Sequence, residues 1–402
     1  DWRAMWLERL ENEPFLPAVW LRHQRRDAYW RHGSVIEDYS AIKAKVLAVG
    51  GWGDAYKNAV PQLVEALPGT KGIVGPWVHK YPHFAVPEPR IGFLQEALRW
   101  WDHWLKGVDT GIMDEPRLRV WMQEPMPPRA QYDERPGRWV CEESWPTPRI
   151  AVRSFGLAAD GLSEKQVSEG AFVISSPQTV GVSAGKWTAY GTEPDLPTDQ
   201  RQDAGGALIF DSPPLAEDFE ILGAPLVKLA VSADRPNAIV AAVLSDVQAD
   251  GAATQVSYGL LNLTHRESHE FPQPLVPGQV YRITLKLNDI AHHFRRGHRV
   301  RVALWRHEHL VTAGGEDDTP VFLRSAAKPV QALACVVTGA ADRFAMTERE
   351  RLDPERVHML LQETVMKEDS PDDADDKLAD EAAIQTRMKL IRPRGVNQTR
   401  YL

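Results

Sequence analysis

Short apolar runs alternate with helical patterns between residues 35 and 128, and this alternation is the feature that most constrains the fold. AKVLAVGG predicts a buried strand, PQLVEALPG a short helix, KGIVGPW the next strand, RIGFLQEALRWWDHWLKGVDTG a longer helix and PRLRVWMQE a further strand. The longer helix carries an apolar stripe formed by Leu94, Ala97, Leu98, Trp101, Trp104 and Leu105. Alternation at this spacing indicates a parallel β-sheet in an α/β fold.

Each of the first two strands ends in a glycine-containing turn that presents one reactive side chain. VLAVGGWGDAY presents Asp54, and TKGIVGPWVH presents His79, 25 residues later (79 − 54). Because functional side chains of open α/β sheets lie just past the carboxyl ends of strands, we expect the two residues on adjacent strands at one edge. Asp54 would then accept the imidazole N–H, and His79 would act as a general base. The alternatives are a helix-capping aspartate and an ordinary loop histidine.

The remaining segments differ from this α/β part in pattern. Residues 1–34 contain helical patterns rich in tryptophan, and from residue 129 many short strands are separated by Pro, Gly and Asp turns. The alternating run VYRITLKLN is typical of an antiparallel sandwich, which we expect over residues 129–346. Residues 347–402 include the acidic run KEDSPDDADDKLADEAA and predict a solvated tail.

Composition narrows the class of protein. Of 402 residues, 43% are hydrophobic and 25% charged, the net charge is −8, and there are two cysteines. The negative charge disfavours nucleic acid or an anionic membrane as the main partner, and no apolar run approaches the length of a membrane span. Two cysteines cannot form a disulfide framework. No signal peptide is visible, which slightly favours the cytoplasm, although the chain begins at Asp1 within a helical pattern and is expected to continue a longer protein.

VGGWGDAY, GIVGPWVH and EALRWWDHWLKGVDTG together resemble the cocaine-esterase and X-Pro dipeptidyl-peptidase family of serine hydrolases (CocE/NonD, peptidase S15-like). LPTDQRQDAGGALIFDSPPL, LSDVQADG and FRRGHRVRVAL resemble its C-terminal jelly roll, so the resemblance covers about residues 1–310. It implies the C-terminal part of an α/β-hydrolase domain over 35–128, followed by a galactose-binding-like jelly roll. It also implies that residues 1–34 end a helical cap, that Asp54 is the triad acid and that His79 is the triad histidine.

The family's nucleophile lies in a G-x-S-x-x-G elbow upstream of the cap, and we expect no nucleophile in this chain. GVSAG around Ser183 has the spelling of such an elbow but lacks the preceding strand and following helix that the motif requires. Trp52 and Trp77 flank the two turns and are candidates for a substrate pocket, with packing at the sheet end as the alternative.

The resemblance implies a hydrolase of an ester, an amide or an X-Pro peptide that needs no metal or organic cofactor. The pairs His292–His293 and His307–His309 lack recognisable metal-ligand spacing. The expected partners are a small substrate and the missing N-terminal half of the same protein, without which the chain is expected to be inactive, and a homodimer stays open. The alternative function is a non-catalytic, carbohydrate- or ligand-binding jelly roll with a hydrolase remnant.

Overall fold

The computed structural model describes residues 1–164, 171–177 and 179–307, so the predicted tail and the end of the predicted sandwich lie outside the described residues. Asp1–Gly33 form part of one compact unit, and a second unit begins at Ser34. The first unit contains helices α1 (Trp2–Asn12), α2 (Leu16–Arg22) and α3 (Ala28–His32). No helix within the described ranges is both long and apolar enough to cross a membrane.

The second unit opens with the predicted alternation of strands and helices. After two short 3₁₀ turns come β1 (Leu47–Gly51), α4 (Ala59–Ala66), β2 (Lys71–Gly75), α5 (Phe93–Lys106) and β3 (Leu118–Gln123). β1 pairs with β2, and β2 with β3, in parallel register. The carboxyl ends of these strands therefore meet at one edge of the sheet, as in other α/β folds.

Helix α5 leaves most of the apolar stripe in its sequence exposed. Trp100, on another face, is 1% exposed, whereas four members of the stripe are at least half exposed: Leu94, Leu98, Trp101 and Leu105. Periodicity alone does not identify the packed face of this helix, because the helix is apolar on two sides. Gly107 ends the helix in the left-handed conformation at φ +69°.

From residue 137 the chain is rich in strands. They are β4 (Gly137–Glu142), β5 (Gly156–Ala158), β6 (Gly161–Ser163), β7 (Leu208–Asp211), β8 (Phe219–Gly223), β9 (Leu226–Val231), β10 (Ile239–Val247), β11 (Ala253–Asn262), β12 (Tyr281–Lys286), β13 (Ile290–Phe294) and β14 (Arg299–His307). A one-turn helix, α6 (Arg201–Ala204), precedes β7. The chain thus combines an α/β part with a β-rich C-terminal part.

The two parts share a sheet. β3 pairs with β4 in antiparallel register and with β13 at the single pair His292↔Gln123, and β8 extends the sheet beyond β13. A four-stranded antiparallel sheet, in the order β11-β10-β14-β7, forms separately, as do the two-stranded ribbons β12-β9 and β5-β6. Sheet A, as we call the mixed six-stranded sheet, therefore connects the α/β strand ends to the β-rich part.

One apolar core cluster joins both parts of the second unit. Its buried members come from α4, β2, β3 and the β-rich strands, and include Val64, Val74, Val120, Phe210, Leu244 and Phe294. Removing apolar surface from water contributes about 25 cal/mol per Å² to stability, so a shared core holds the two parts in one arrangement. This arrangement fixes the loops of the β-rich part beside the ends of β1 and β2.

Candidate active site

The ends of β1 and β2 approach each other closely, and glycine permits it. A Cβ added at Gly51 would overlap the carbonyl oxygen of Trp77. The N–H of Gly53 donates to that same carbonyl oxygen at 2.9 Å, and the N–H of Asp54 donates to the carbonyl of Gly51 at 3.0 Å. The glycines of GGWGD thus form a tight turn that points Asp54 toward the end of the neighbouring strand.

The structure brings the two predicted residues together. Nδ1 of His79 lies 2.9 Å from Oδ2 of Asp54, and Oδ1 of Asp54 accepts the N–H of Tyr56 at 3.1 Å. The aspartate side chain is 13% exposed and the histidine side chain 41%. A proton on Nδ1 satisfies the carboxylate and leaves Nε2 as an acceptor. Among the described residues Nε2 has no hydrogen-bond partner, so it is available to take a proton.

A loop of the β-rich part lies against His79. The N–H of His79 donates to the carbonyl of Ala189 at 2.9 Å. The next two N–H groups of the loop, those of Tyr190 and Gly191, donate to one oxygen of Asp195 at 2.6 and 3.1 Å. Gly191 has φ +67°, a conformation that favours glycine. The histidine backbone is therefore held by a segment more than a hundred residues away in sequence.

Two aromatic rings contact the imidazole, and a third packs against one of them. The ring centroid of Tyr190 lies 5.3 Å from that of His79, the Tyr56 ring lies 5.7 Å from it, and Trp187 contacts Tyr56 at 5.8 Å. These rings are more than one-third exposed, unlike typical core aromatics. These rings were not predicted from the sequence. The aromatic residues of DAY and KWTAY, both next to glycine-containing turns, were the available signal.

The two candidate pocket tryptophans occupy different environments. Trp77 is 1% exposed, donates its indole N–H to the carbonyl of Pro89 at 2.8 Å and packs against Trp139. This environment agrees with the alternative considered for Trp77, which was packing at the end of the sheet. Trp52 is also buried, and its indole N–H donates to the carbonyl of Trp121 at 2.8 Å, but it lines a cavity beside the Asp54 turn.

Ser183 has hydrogen-bond partners other than Asp54 and His79. Its side chain is buried, its N–H donates to Asp203 at 2.9 Å, and its carbonyl accepts the N–H of Thr198 and an amide proton of Gln200. The residues before it form turns, with no strand, and no helix follows directly. No hydrogen bond joins it to His79 in the described part of the chain.

The histidines considered as metal ligands in β13 have other partners. Nε2 of His292 lies 3.1 Å from Asp246, and Nδ1 of His293 lies 2.9 Å from both oxygens of Glu124. Within residues 1–164, 171–177 and 179–307, no group of three or more His, Cys, Asp or Glu side chains has a metal-binding arrangement. His307 lies at the limit of the described chain, and His309 lies outside it.

Comparison with known proteins assigns the family. The model of the X-Pro dipeptidyl-peptidase C-terminal non-catalytic domain matches residues 110–310, half of the chain. The model of the X-Pro dipeptidyl-peptidase S15 family matches residues 1–81, which include Asp54 and His79. A model of L-asparaginase II matches residues 294–351, mostly outside the described residues. The chain belongs to the cocaine-esterase and X-Pro dipeptidyl-peptidase (CocE/NonD, S15-like) family of serine hydrolases.

Individual relatives agree with this assignment. A Mycobacterium bovis protein provisionally named a serine esterase is 28% identical over 308 residues, which cover 69% of this chain and 46% of that protein. Cocaine esterase of a Rhodococcus species is 23% identical over 306 residues, covering 70% of this chain and 51% of the esterase. The chain therefore spans about half the length of the curated relatives it matches.

Solved structures show the same fold. An aminopeptidase from a Thaumarchaeota archaeon matches with a TM-score of 0.58 and 21% identity, over 75% of this chain and 54% of its own. An α-amino acid ester hydrolase matches with a TM-score of 0.57 and 21% identity, over 74% of this chain and 54% of its own. An α/β-hydrolase part followed by a β-rich C-terminal part is thus the architecture that this chain shares with them.

Proposed function

We propose that this chain supplies the acid and the general base of a serine hydrolase that cleaves an ester or an amide. The observation that carries the proposal is the 2.9 Å contact between Asp54 and Nδ1 of His79, with Nε2 of that histidine unpartnered among the described residues and 41% of the side chain exposed. A base must reach the proton that it abstracts, and this imidazole has both an orienting carboxylate and a free nitrogen.

The chemistry follows from that geometry. A serine hydroxyl would attack the substrate carbonyl while His79 takes the hydroxyl proton at Nε2, and Asp54 would stabilise the imidazolium. The histidine would return the proton to the departing alcohol or amine as the acyl–oxygen or acyl–nitrogen bond breaks. Water, deprotonated in turn by the same nitrogen, would then attack the acyl-enzyme, and His79 would return that proton to the serine oxygen as the acyl–serine bond breaks. None of these steps calls for a metal or an organic cofactor.

We propose that the serine belongs to a segment upstream of Asp1, as the resemblance to the family implies. Two surfaces support this proposal. β1 pairs with β2 alone, so its other edge has no strand partner in the described part of the chain. The stripe Leu94, Leu98, Trp101 and Leu105 of α5 is at least half exposed. An unpaired strand edge and an exposed apolar helix face are each typical of a sheet that continues.

The β-rich part supports a jelly roll, which we also propose. Its antiparallel sheet and ribbons are consistent with a sandwich, and its loop at Ala189–Gly191 contacts the base. The exposed rings of Tyr56 and Tyr190 flank His79, so an apolar group beside the scissile carbonyl would be favoured there. The loop would thereby take part in substrate choice, which a separate binding module would not require.

A fluorophosphonate probe tests the catalytic proposal, because it reacts with serines that a histidine activates. The chain alone should remain unlabelled, and the chain extended upstream to its natural start should be labelled. His79→Ala should abolish labelling of the extended form. His83→Ala is the matched control, because His83 lies four residues further on, is exposed and packs against the rings of Phe84 and Phe93.

Each other outcome contradicts a specific part of the proposal. Labelling of the chain alone would place the nucleophile within it, with Ser183 as the first residue to replace. Labelling of the extended form that survives His79→Ala would exclude this histidine as the base. No labelling of either form would favour a binding module, which glycan binding by the chain would then support.

Cysteine accessibility tests the proposed contact between the upstream segment and α5. With Cys141 and Cys335 replaced by serine, Leu98→Cys should react with a maleimide at least about 10-fold more slowly in the extended protein than in the chain alone. Val276→Cys is the control, because Val276 is 57% exposed in a loop of the β-rich part. Equal reactivity of Leu98→Cys in both forms would show that the segment does not cover this face.

A further inference from the structure

A cavity of about 110 Å³ lies beside the Asp54 turn, inside the second unit. The turn contributes Trp52 and Lys57 to its walls, the segment after β3 contributes Arg135, and β11 and β13 contribute Tyr258 and His292. The space is large enough for several water molecules or for one small organic molecule. Neither Asp54 nor His79 lines it, although Gly53, next to Asp54, and Trp187, which contacts Tyr56, do.

Arg135 is a buried cation without a carboxylate partner. The residue is 7% exposed, and its guanidinium lies 4.8 Å from the centre of the Tyr132 ring. Its Nε is buried with no hydrogen-bond acceptor, and no carboxylate lies within 4 Å of it among the described residues. Asp246 is the acidic group that acts on it, and the two oxygens of Asp246 already contact His292 and His298.

Lys57 is a second cation on the same cavity. Its ammonium lies 5.8 Å from the centre of the Tyr258 ring and makes neither a hydrogen bond nor an ion pair within the described ranges. Burial lowers the pKa of Lys57 to about 8, and the charge of Asp54 opposes that shift only in part. A nearby anion would therefore stabilise the charged form of this lysine.

Gln123 adds an uncharged donor. The residue is 8% exposed, it lines the cavity, and its side-chain amide makes no hydrogen bond to the described part of the protein. This amide is therefore free to donate to a molecule in the cavity. Three side chains that line one cavity thus keep hydrogen-bonding capacity that no described residue uses, and two of the three are cationic.

From this arrangement we infer that the cavity binds a small organic monocarboxylate. A guanidinium matches the two oxygens of a carboxylate, while an ammonium and an amide N–H satisfy the remaining lone pairs. A single negative charge is favoured over a phosphate dianion, because Asp54 and Asp246 already lie near the two cations. The limited volume restricts the rest of the ligand to a few carbon atoms.

Calorimetric titration of the full chain with acetate, propionate and butyrate tests the inference, with phosphate and sulfate at equal ionic strength as the comparison anions. Saturable carboxylate binding is expected, and Arg135→Gln and Lys57→Met should each weaken it at least about 10-fold. The matched controls are Arg138→Gln on β4 and Lys228→Met on β9, which change the same charges at exposed positions and should bind as the unmodified chain does.

Arg135→Gln replaces a buried residue, so Gln123→Leu serves as a second variant that keeps both cations. It should fold, as judged by circular dichroism, and bind the carboxylate more weakly. No saturable carboxylate binding up to about 100 mM would overturn the inference and indicate a cavity filled by water alone. Tighter binding of phosphate or sulfate, or unchanged affinity in Arg135→Gln and Lys57→Met, would overturn it as well. This test needs no nucleophile, so its failure is distinguishable from a failure of the proposed hydrolase activity.

Discussion

Two histidine–aspartate pairs lie in the same unit of this chain and differ in almost everything except composition. In the first, His79 is 41% exposed and uses Nδ1 to contact Asp54 at 2.9 Å. In the second, His292 and Asp246 are 2% and 1% exposed, and the contact at 3.1 Å uses Nε2. Accessibility of the second ring nitrogen, more than the presence of the pair, decides whether an imidazole can act as a base.

The two carboxylates also differ in what their second oxygen contacts. The second oxygen of Asp246 lies 2.8 Å from Nδ1 of another histidine, His298. The second oxygen of Asp54 accepts a hydrogen bond from the backbone N–H of Tyr56, in the same turn. The buried pair therefore ties β10 to β13 and the segment before β14, whereas the exposed pair ties two strand ends and leaves the histidine facing outward.

The largest expected effect is on the hydrolysis rate, which should depend on Asp54 far more than on Asp246. In the upstream-extended protein, Asp54→Asn should lower the hydrolysis rate of an activated ester by about 10³–10⁴-fold, because the imidazole loses its orientation and its counter-charge. Asp246→Asn should change that rate by less than about 10-fold. Steady-state kinetics on both variants provides the measurement. Similar losses in the two would remove the distinction between the pairs.

The free energy of unfolding should depend on the two carboxylates in the reverse order, more on Asp246 than on Asp54. Asp246→Ala leaves two histidines beside a buried space and should lower the free energy of unfolding by about 3 kcal/mol. Asp54→Ala removes a contact at the solvent-facing edge and should lower it by less than about 1 kcal/mol. Urea unfolding of the chain, followed by circular dichroism, compares them. A larger loss for Asp54→Ala would mean that the exposed pair is the structural one.

Lys57 provides a test at alkaline pH. Its pKa in the folded chain is about 8, below the ordinary value of 10.5, because of burial. The unfolded chain binds more protons between these values, so the folded state gains stability as the pH rises from 8 toward 10.5. Lys57→Met should therefore raise stability by about 2 kcal/mol at pH 7, without added carboxylate, and by almost nothing near pH 10.5.

Thermal unfolding at the two pH values, with Lys228→Met as the exposed control, measures that difference. The charged groups on the same cavity are Arg135 and His292, and Asp54 lies close to the lysine. Equal effects of Lys57→Met at both pH values would exclude a half-buried, charged lysine at this position.

The smallest expected effect concerns His292. Burial lowers the pKa of His292, Arg135 and His293 act in the same direction, and Asp246 opposes them. Because the unfolded chain then binds more protons just below pH 6.5, the folded state loses up to about 1.4 kcal/mol per pH unit as the pH falls. His292→Gln should reduce this loss, and His83→Gln should leave it unchanged. The same loss of stability below pH 6.5 in the unmodified chain, His292→Gln and His83→Gln would contradict a buried neutral His292.

The exposed pair was predictable from the sequence because each of its members follows a strand directly. Parallel pairing of β1 with β2 then brings Asp54 and His79 to one edge without any long-range information. The loop that holds His79 could not be predicted in the same way. Ala189 and Tyr190 reach it through the packing of the β-rich part, and no local pattern in KWTAYG specifies that approach.

Periodicity was informative about α5 but ambiguous about its orientation. Trp100 and Trp101 are adjacent in sequence, yet one is 1% and the other 51% exposed. A helix with two apolar sides satisfies the same pattern in either orientation, so only the sheet beneath it decides. The cavity cations were missed for a related reason, since Lys57 and Arg135 are 78 residues apart (135 − 57) and meet only in the folded unit.

A pH series of imidazole ¹⁵N spectra on the chain tests the contrast between the two pairs most directly. We predict that His79 carries its proton on Nδ1 and leaves Nε2 bare, and that Asp54→Asn disturbs this tautomer. His292 should carry its proton on Nε2 and remain neutral as the pH falls below 6.5, because burial lowers its pKa. A His79 protonated on Nε2 with a bare Nδ1 would contradict the proposed base, because the nitrogen that must accept the serine proton would already hold one.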